Sequence, residues 1–237
     1  MSTSAPTVHV QAPSPATIRE LIVCVPDGLD TSVLHDSTVL DRHFGVTGTT
    51  RPRFWTTRSL HHWQHRHLID LRPGRPRYCA GGPVALLDLA GDRYAAAVGA
   101  GIRYQQWSAA VTGTRHATPW PVYAQRSAED PGKYPEPRAR AEFNAQPRVS
   151  AMRIHNAVAF GAGILDIGDL EMFQAGPAAY ANYHALWACA TDAVLTADGR
   201  QLTPASDHLV DRITYLDQAT RYLAGLPRTQ RILAVAL

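Results

Sequence analysis

Residues 84–111 read VALLDLAGDRYAAAVGAGIRYQQWSAAV, and this alanine-rich stretch decides the predicted fold. Its apolar side chains recur with the 3.6-residue period of an amphipathic helix. They are Leu86, Leu87, Ala90, Tyr94, Ala97 and Val98. Gly99 and Gly101 lower the helix propensity of the middle of the stretch. We therefore expect two helices here, or one helix with a kink.

Towards the N-terminus the same period continues. Ser14 and Pro15 form a helix start, and apolar residues up to Val25 follow at helical spacing. A strand over residues 21–25, LIVCV, is the alternative. A second helix is predicted from Asp30 or Thr31, and Gly45 ends it.

Towards the C-terminus helices are again predicted, with proline and glycine between them. The predicted helices cover residues 138–146, 148–158, 167–175, 177 to about 195, 203 to about 224, and 228–235. Alternating strand patterns are nearly absent. The sequence therefore predicts an all-α fold of about eight to ten helices.

The domain organisation follows from proline content. Residues 1–13 are predicted to be a flexible tail, and residues 14–111 an N-terminal helical region. Residues 112–137 hold five prolines and are predicted to be a loop, as a domain boundary or as a surface loop within one domain. Residues 138–237 are predicted to be a C-terminal helical region packed with the first as one domain.

Composition excludes several classes of protein. The chain has 237 residues, of which 45% are hydrophobic, so it is long enough to bury a real core. Three cysteines without a CxxC pair argue against a disulfide scaffold, and Cys24 and Cys189 are expected to be buried thiols. Neither a membrane span nor a secretory signal is legible, so we predict a cytoplasmic protein without a membrane partner. No cofactor is predicted.

Charge is concentrated in one segment. The chain has 22 arginines and one lysine, a ratio typical of a GC-rich coding bias. Between Arg42 and Tyr78 there are eight arginines and five histidines but only one acid, Asp70. The net charge of this segment is +7, whereas that of the whole chain is +3. Such a segment attracts polyanions, above all nucleic-acid phosphates.

This segment gives the main functional hypothesis, a DNA- or RNA-binding protein without catalysis. Arginines bind phosphates in a forked geometry, and the interleaved aromatic residues can stack on bases. A short helix over about residues 57–70 would carry several of these side chains along a groove. The predicted contact residues are Arg51, Arg53, Arg58, His61, His62, His65, Arg66, Arg72, Arg75 and Arg77. A solvated arginine rim over core tryptophans is the alternative.

Two further hypotheses remain open. His61 and His65 stand four residues apart, a spacing that places two imidazoles on one helix face for a metal-assisted enzyme. No carboxylate general base lies inside this motif. The small residues of 84–111 and 177–195 permit close helix packing, which favours a helical assembly protein that forms homo-oligomers.

Other motifs have structural explanations that are stronger than the functional ones. Asp166, Asp169 and Glu171 are typical of a capped helix start rather than a cation site. The AGGP sequence at residues 80–83 lacks the Lys-Ser/Thr pair of a phosphate loop. The aromatic stripe Tyr180, Tyr183, His184 and Trp187 is typical of core packing. Scattered polar residues, His116, Arg148, Arg153, His155, Asn156 and His184, do not assemble into a catalytic triad by spacing.

Overall fold

The fold is mixed α/β, so the all-α prediction is wrong. A computed structural model describes residues 18–237 except residues 27, 31, 32 and 35. The predicted tail over residues 1–13 and the helix start at Ser14 lie outside the described residues. Within them, helices surround a six-stranded mixed sheet, and a separate two-stranded sheet lies beside it.

The strands are short except for two. They are β1 (Glu20–Val25), β2 (Thr49–Thr50), β3 (Phe54–Trp55), β4 (Tyr78–Cys79), β5 (Gly81–Pro83), β6 (Ala193–Leu195), β7 (Gln201–Leu202) and β8 (Arg231–Ala236). The main sheet has the order β2-β8-β1-β6-β7, and β5 pairs with β8 beside β2. β1 is antiparallel to β8 and parallel to β6. β3 and β4 form the small antiparallel sheet.

The helices flank this sheet. They are α1 (Ser37–Phe44), α2 (Leu89–Ala110), α3 (Trp120–Glu129), α4 (Glu136–Asn144), α5 (Pro147–Val158), α6 (Leu170–Gln174), α7 (Pro177–Ala190) and α8 (Leu209–Ala224). Gly45 ends α1 in the left-handed conformation, with φ of 64°, as its place in the sequence predicts. In residues 84–111 the short 3-10 helix Val84–Leu86 precedes one α-helix, α2, which continues through Gly99 and Gly101.

The two central strands separate two hydrophobic cores. Ile22 and Cys24 of β1 belong to the larger core, which includes residues of α2 and α5 to α8. Leu21, Val23 and Val25 belong to the smaller core with Leu34 and Leu40. β8 alternates in the same way. Strands buried on both faces consist of continuous apolar residues, which is why the alternation of a half-buried strand is missing from the sequence.

Several predicted helices are strands, and one predicted loop is partly helical. The helix predicted up to Val25 is β1, and the helix predicted over residues 228–235 overlaps β8. The helix predicted from Pro177 to about Leu195 ends at Ala190, and β6 follows. The loop predicted over residues 112–137 contains α3, whose first turn accommodates Pro121 because the first four amides of a helix have no intrahelical acceptor.

The small residues predicted to support an assembly have partners inside the fold. α2 and α7 run side by side and form the most extensive helix pair of the described chain. Both helices are rich in alanine, and Ala100 of α2 and Ala190 of α7 are fully buried. Close helix packing inside the larger core therefore accounts for this composition.

A glycine permits the approach of β5 to β8. Gly81 pairs with Leu233, and a Cβ added to it would lie 2.9 Å from the Leu233 Cα and collide with the Ile232 carbonyl oxygen. The AGGP sequence thus forms a strand at the sheet edge, and the 3-10 helix Val84–Leu86 begins directly after it.

We expect Gly81→Ala to lower the free energy of unfolding by about 1–3 kcal/mol, because β5 or β8 must move to make room for the methyl group. Gly101→Ala is the matched control, since its added Cβ meets no atom within 4 Å. In the α2 helix this control should raise stability by about 0.5–1 kcal/mol. Urea titrations compare the two variants, and equal effects would contradict the close approach.

Candidate functional site

Most of the basic segment forms a long connection between β3 and β4, the two strands of the small sheet. Pairing of Phe54 with Cys79 and of Trp55 with Tyr78 closes its base, so residues 56–77 are named the basic excursion. The predicted helix over residues 57–70 is only a 3-10 helix, His62–His67. Beyond it, Leu68 and Ile69 are buried and attach the excursion to the cores.

Four arginines of the basic excursion remain without a carboxylate partner among the described residues. Arg58, Arg66, Arg75 and Arg77 are exposed, and none of them forms an ion pair with an acid of the described chain. Arg72 differs, because its Nε lies 2.7 Å from Asp70 Oδ1. The excursion therefore presents uncompensated positive charge to the solvent.

A tryptophan of the basic excursion projects into the solvent. The Trp63 residue is 62% exposed, although indole rings are usually largely buried. The imidazole of His61 lies parallel to it, with an interplanar angle of 6° and ring centroids 6.3 Å apart. Tyr78, at the base of the excursion, is also exposed. This arrangement exposes flat π surfaces on the same segment as the four arginines.

The two limbs of the basic excursion meet at His65. Nη1 of Arg77 lies 3.0 Å from Nε2 of His65, and the His62 ring centroid is 5.1 Å from that of His65. Desolvation, followed by the charges of Arg77 and His62, lowers the pKa of His65. His65 is therefore neutral near pH 7 and can accept a hydrogen bond from Arg77.

Arg51 and Arg53, the remaining two predicted contact residues, lie apart from the basic excursion and contact Glu20 at the start of β1. Nη1 of Arg53 is 2.7 Å from Glu20 Oε2, and its Nη2 donates to the Ala188 carbonyl at 2.7 Å. The Arg53 side chain is only 14% exposed and stacks over Trp187 at 5.1 Å. Arg51 is 60% exposed, with Nε 3.5 Å from Glu20 Oε1. The structure thus divides the ten residues into eight on the excursion and two beside Glu20.

The i, i+4 spacing of His61 and His65 does not place the two imidazoles on one α-helical face, because the segment forms only a 3-10 helix. His61 precedes the 3-10 helix, stacks on Trp63 and is not on one α-helical face with His65. Within residues 18–237, outside the gaps given above, there is no group of three His, Cys, Asp or Glu side chains arranged to hold a metal ion. All three cysteines are buried free thiols, as predicted for Cys24 and Cys189.

A second candidate site is a cavity of about 740 Å³ at the N-terminal ends of the parallel strands β1 and β6. Its walls come from the start of α3, the turn before α6, one face of α7 and the first turns of α8. This volume lies within the usual range for sites that bind small molecules.

A buried carboxylate and an imidazole form one wall of the cavity. Oδ2 of Asp169 lies 3.2 Å from Nε2 of His184, but the N–H direction is not aligned for a hydrogen bond. Tyr180 donates its hydroxyl to the same carboxylate oxygen at 3.5 Å. Burial raises the pKa of Tyr180 to about 12, so the phenol keeps the proton that it donates. The Nε2 atom of His184 is a buried polar atom without a hydrogen-bond partner among the described residues.

An arginine and a tyrosine form the neighbouring wall. Arg212 of α8 donates to the hydroxyl of Tyr183, and its guanidinium carbon lies 4.9 Å from the centroid of that ring. Burial raises the pKa of Tyr183, so the phenol is neutral and does not compensate the guanidinium charge. No acid of the described chain forms an ion pair with Arg212.

A residue with a strained backbone conformation, Thr191, lines the same cavity. Thr191 joins α7 to β6 with φ of 54° and ψ of −145°, a conformation that is nearly restricted to glycine. The residue is fully buried and lines the cavity. A strained β-branched residue costs about 1–3 kcal/mol, and such residues cluster at functional sites.

The cavity residues were not predicted as a site. Asp166 caps the turn by accepting from the Gly168 amide at 2.8 Å, which confirms the capping interpretation. Asp169 of the same trio instead faces His184. Tyr180 and Tyr183 of the aromatic stripe are buried, as predicted, while His184 and Trp187 also line the cavity. The signal available in the sequence was a histidine inside a helix that is otherwise mostly apolar.

An apolar stripe of α2 is exposed to the solvent. Tyr94, Val98 and Ile102 recur every four residues on α2 and are exposed. They form an apolar stripe on the helix that otherwise supports the larger core. Homo-oligomer formation itself stays a prediction.

The chain matches no protein-family model, no curated protein and no solved structure. Among the described residues, none of the helices has an apolar stretch long enough to cross a membrane. The basic excursion and the cavity are the two places where the chemistry of the chain itself indicates a function.

Proposed function

We propose that the chain binds single-stranded nucleic acid through the basic excursion. The observation that carries this proposal is the exposed Trp63, parallel to His61 and surrounded in sequence by arginines without carboxylate partners. Base stacking on an aromatic side chain stabilises a complex with a single strand by about 1–3 kcal/mol per base. Burying Trp63 under a base would also remove its apolar surface from water.

Single strands are favoured over duplexes by the shape of the basic excursion. A six-residue 3-10 helix rises only about 12 Å and lacks the length of a recognition helix that reads the major groove. Unpaired bases, in contrast, expose their faces to Trp63 and His61. Arg58, Arg66, Arg75 and Arg77 then contact the phosphates, which contributes affinity without sequence preference.

Fluorescence anisotropy with labelled 20-nucleotide oligothymidylate, oligouridylate and a duplex of the same length tests the proposal. We expect the single strands to bind more tightly than the duplex at 50 mM salt. The quadruple variant R58A/R66A/R75A/R77A should reduce the slope of log Kd against log salt by about 3, because each lost phosphate contact contributes about 0.7. Trp63→Ala should weaken binding about 5- to 100-fold.

Matched controls remove the same charge and the same apolar area elsewhere. The variant R115A/R153A/R200A/R228A removes four exposed arginines outside the basic excursion, and Phe160→Ala removes a ring that is even more exposed than Trp63. If the control quadruple weakens binding as much as the excursion quadruple, the charge of the whole protein is responsible. That result, or an absence of binding at 50 mM salt, would overturn the proposal.

A further inference from the structure

We infer that the cavity beside α7 and α8 binds a small molecule that combines a planar ring, an anionic group and an N–H or O–H donor. The site is separate from the basic excursion and does not depend on nucleic-acid binding. Its anchor for the anion is Arg212, its second donor is His184, and its flat walls are indole rings.

Arg212 is prepared for an anionic group. A guanidinium has five N–H donors, and the described chain uses one side of this one, towards the neutral hydroxyl of Tyr183. The remaining donors are available to the cavity that Arg212 lines. Because a carboxylate or a phosphate accepts two parallel N–H bonds from a guanidinium, either group fits this position.

His184 supplies a second polar contact next to Arg212. Its ring lies edge-on to Tyr183, the residue that Arg212 contacts, with ring centroids 5.3 Å apart. The Nε2 atom has no aligned partner, and a buried polar atom in that condition is costly unless a ligand satisfies it. Asp169 and Tyr180 contact the same imidazole, Asp169 Oδ2 at 3.2 Å from Nε2 and the Tyr180 ring at a centroid distance of 4.3 Å.

The other lining groups define the rest of the ligand. Asp192 is already occupied, because it accepts from Trp187 Nε1 at 3.1 Å and from two backbone amides. Glu171 and Asp207 also line the cavity, and neither forms an ion pair with a described residue. These carboxylates can accept from N–H or O–H donors of a ligand. Trp120 and Trp187 provide apolar surface for a planar ring.

Aromatic amino acids and nucleoside 5′-monophosphates share this chemistry. Isothermal titration calorimetry of the full chain with L-phenylalanine, L-tyrosine, AMP and UMP distinguishes the two sources, and phenylacetate and inorganic phosphate test the ring and the anion alone. We expect one of the two complete classes to bind with a micromolar Kd and the partial probes at least 10-fold more weakly.

Variants on one helix locate the site. Arg212→Gln should weaken binding of the best probe 10- to 100-fold, and Arg212→Lys should have an intermediate effect because it keeps the charge but loses the fork. Arg221→Gln on the same helix is the control, since that side chain is 77% exposed and pairs with Asp217. Unfolding midpoints without ligand show whether each variant is folded.

Two results would overturn the inference. One is the absence of binding by all four complete probes at 5 mM. The other is equal affinity of the folded Arg212→Gln and Arg221→Gln variants. The excursion variant R58A/R66A/R75A/R77A should bind the small probe like the wild type, so this test and the oligonucleotide test can fail separately.

Discussion

Replacing Glu20 with glutamine is expected to lower the free energy of unfolding by about 3–5 kcal/mol, because it leaves a buried guanidinium without a counter-charge. Glu20 is 5% exposed, and its carboxylate lies 2.7 Å from Nη1 of Arg53. Arg53 is fixed by its bond to the Ala188 carbonyl and by Trp187, so it cannot move out to water without losing both contacts.

The neighbouring arginine provides the matched control. Arg51 approaches the same carboxylate at 3.5 Å but is 60% exposed. Exposed ion pairs contribute about 0–1 kcal/mol, so Arg51→Gln should have a small effect. Urea titrations followed by circular dichroism measure both variants. Equal losses for Glu20→Gln and Arg51→Gln would show that the buried pair is not the stabilising one.

A double replacement separates the contribution of the ion pair from the cost of leaving one buried charge without its partner. Glu20→Leu combined with Arg53→Met removes both charges, and such apolar replacements are often neutral or stabilising. The double variant should therefore be more stable than either single variant. Arg53→Met is also expected to leave oligonucleotide affinity unchanged under conditions in which the protein is folded, since Arg53 lies outside the basic excursion.

The fold could be predicted from the sequence only where local signals were sufficient. Gly45 and Pro177 mark helix ends that are present in the structure, because a left-handed residue and a missing amide act within one turn. The strands at residues 21–25 (LIVCV) and 232–236 (ILAVA) have no such local signal. Short apolar runs satisfy both the helical and the buried-strand pattern, and here the partner strand lies at the other end of the chain.

The shortest strands carry almost no signal of their own. Thr49 and Thr50, or Gly81 to Pro83, are strands because they pair with β8, and not because of their propensity. Once β1 and β8 are recognised as a pair, Gly81 becomes informative, since a glycine is needed where two backbones approach closely.

The two candidate sites also differ in how much of each can be predicted from the sequence. The eight contact residues of the basic excursion lie close together in sequence, so their charge was visible before the structure. Asp169, His184 and Arg212 belong to three different elements, and the sheet connections bring them together. Arg53 also looked like a phosphate ligand, because its partner Glu20 lies outside the basic segment.

Stability is expected to fall as the pH rises from about 4 to 7, because Asp92 must ionise inside the protein. Asp92 stands in the first turn of α2 and is 8% exposed, and its carboxylate accepts from the Trp55 amide at 3.0 Å. Burial raises the pKa of Asp92 to about 7, although the Trp55 bond and the Arg53 charge oppose the shift.

The sign follows from linkage between proton binding and folding. The folded pKa lies above the ordinary value of 3.8, so the folded state binds the proton more tightly than the unfolded state. The resulting stability is complete below pH 4 and is lost as the pH rises through about 7. At 1.36 kcal/mol per pKa unit the total change is on the order of 4 kcal/mol.

Asp92→Asn removes this titration while keeping an oxygen that accepts from the Trp55 amide. The variant should have a free energy of unfolding close to that of the wild type at pH 4 and a higher one at pH 8. Asp130→Asn is the control, because that carboxylate is exposed and contacts Lys133 in the turn that follows α3. Urea titrations at pH 4, 5, 6, 7 and 8 give the change of the free energy of unfolding with pH. If Asp92→Asn showed the same change as the wild type, Asp92 would not be the group that titrates.

Arg53 connects the two stability predictions. Its charge holds the pKa of Asp92 below the value that burial alone would give, and the same charge neutralises Glu20. In the Glu20→Leu and Arg53→Met double variant, the pKa of Asp92 should therefore rise further. The loss of stability with pH should then be centred at a higher pH than in the wild type. An unchanged centre would show that Arg53 does not act on Asp92.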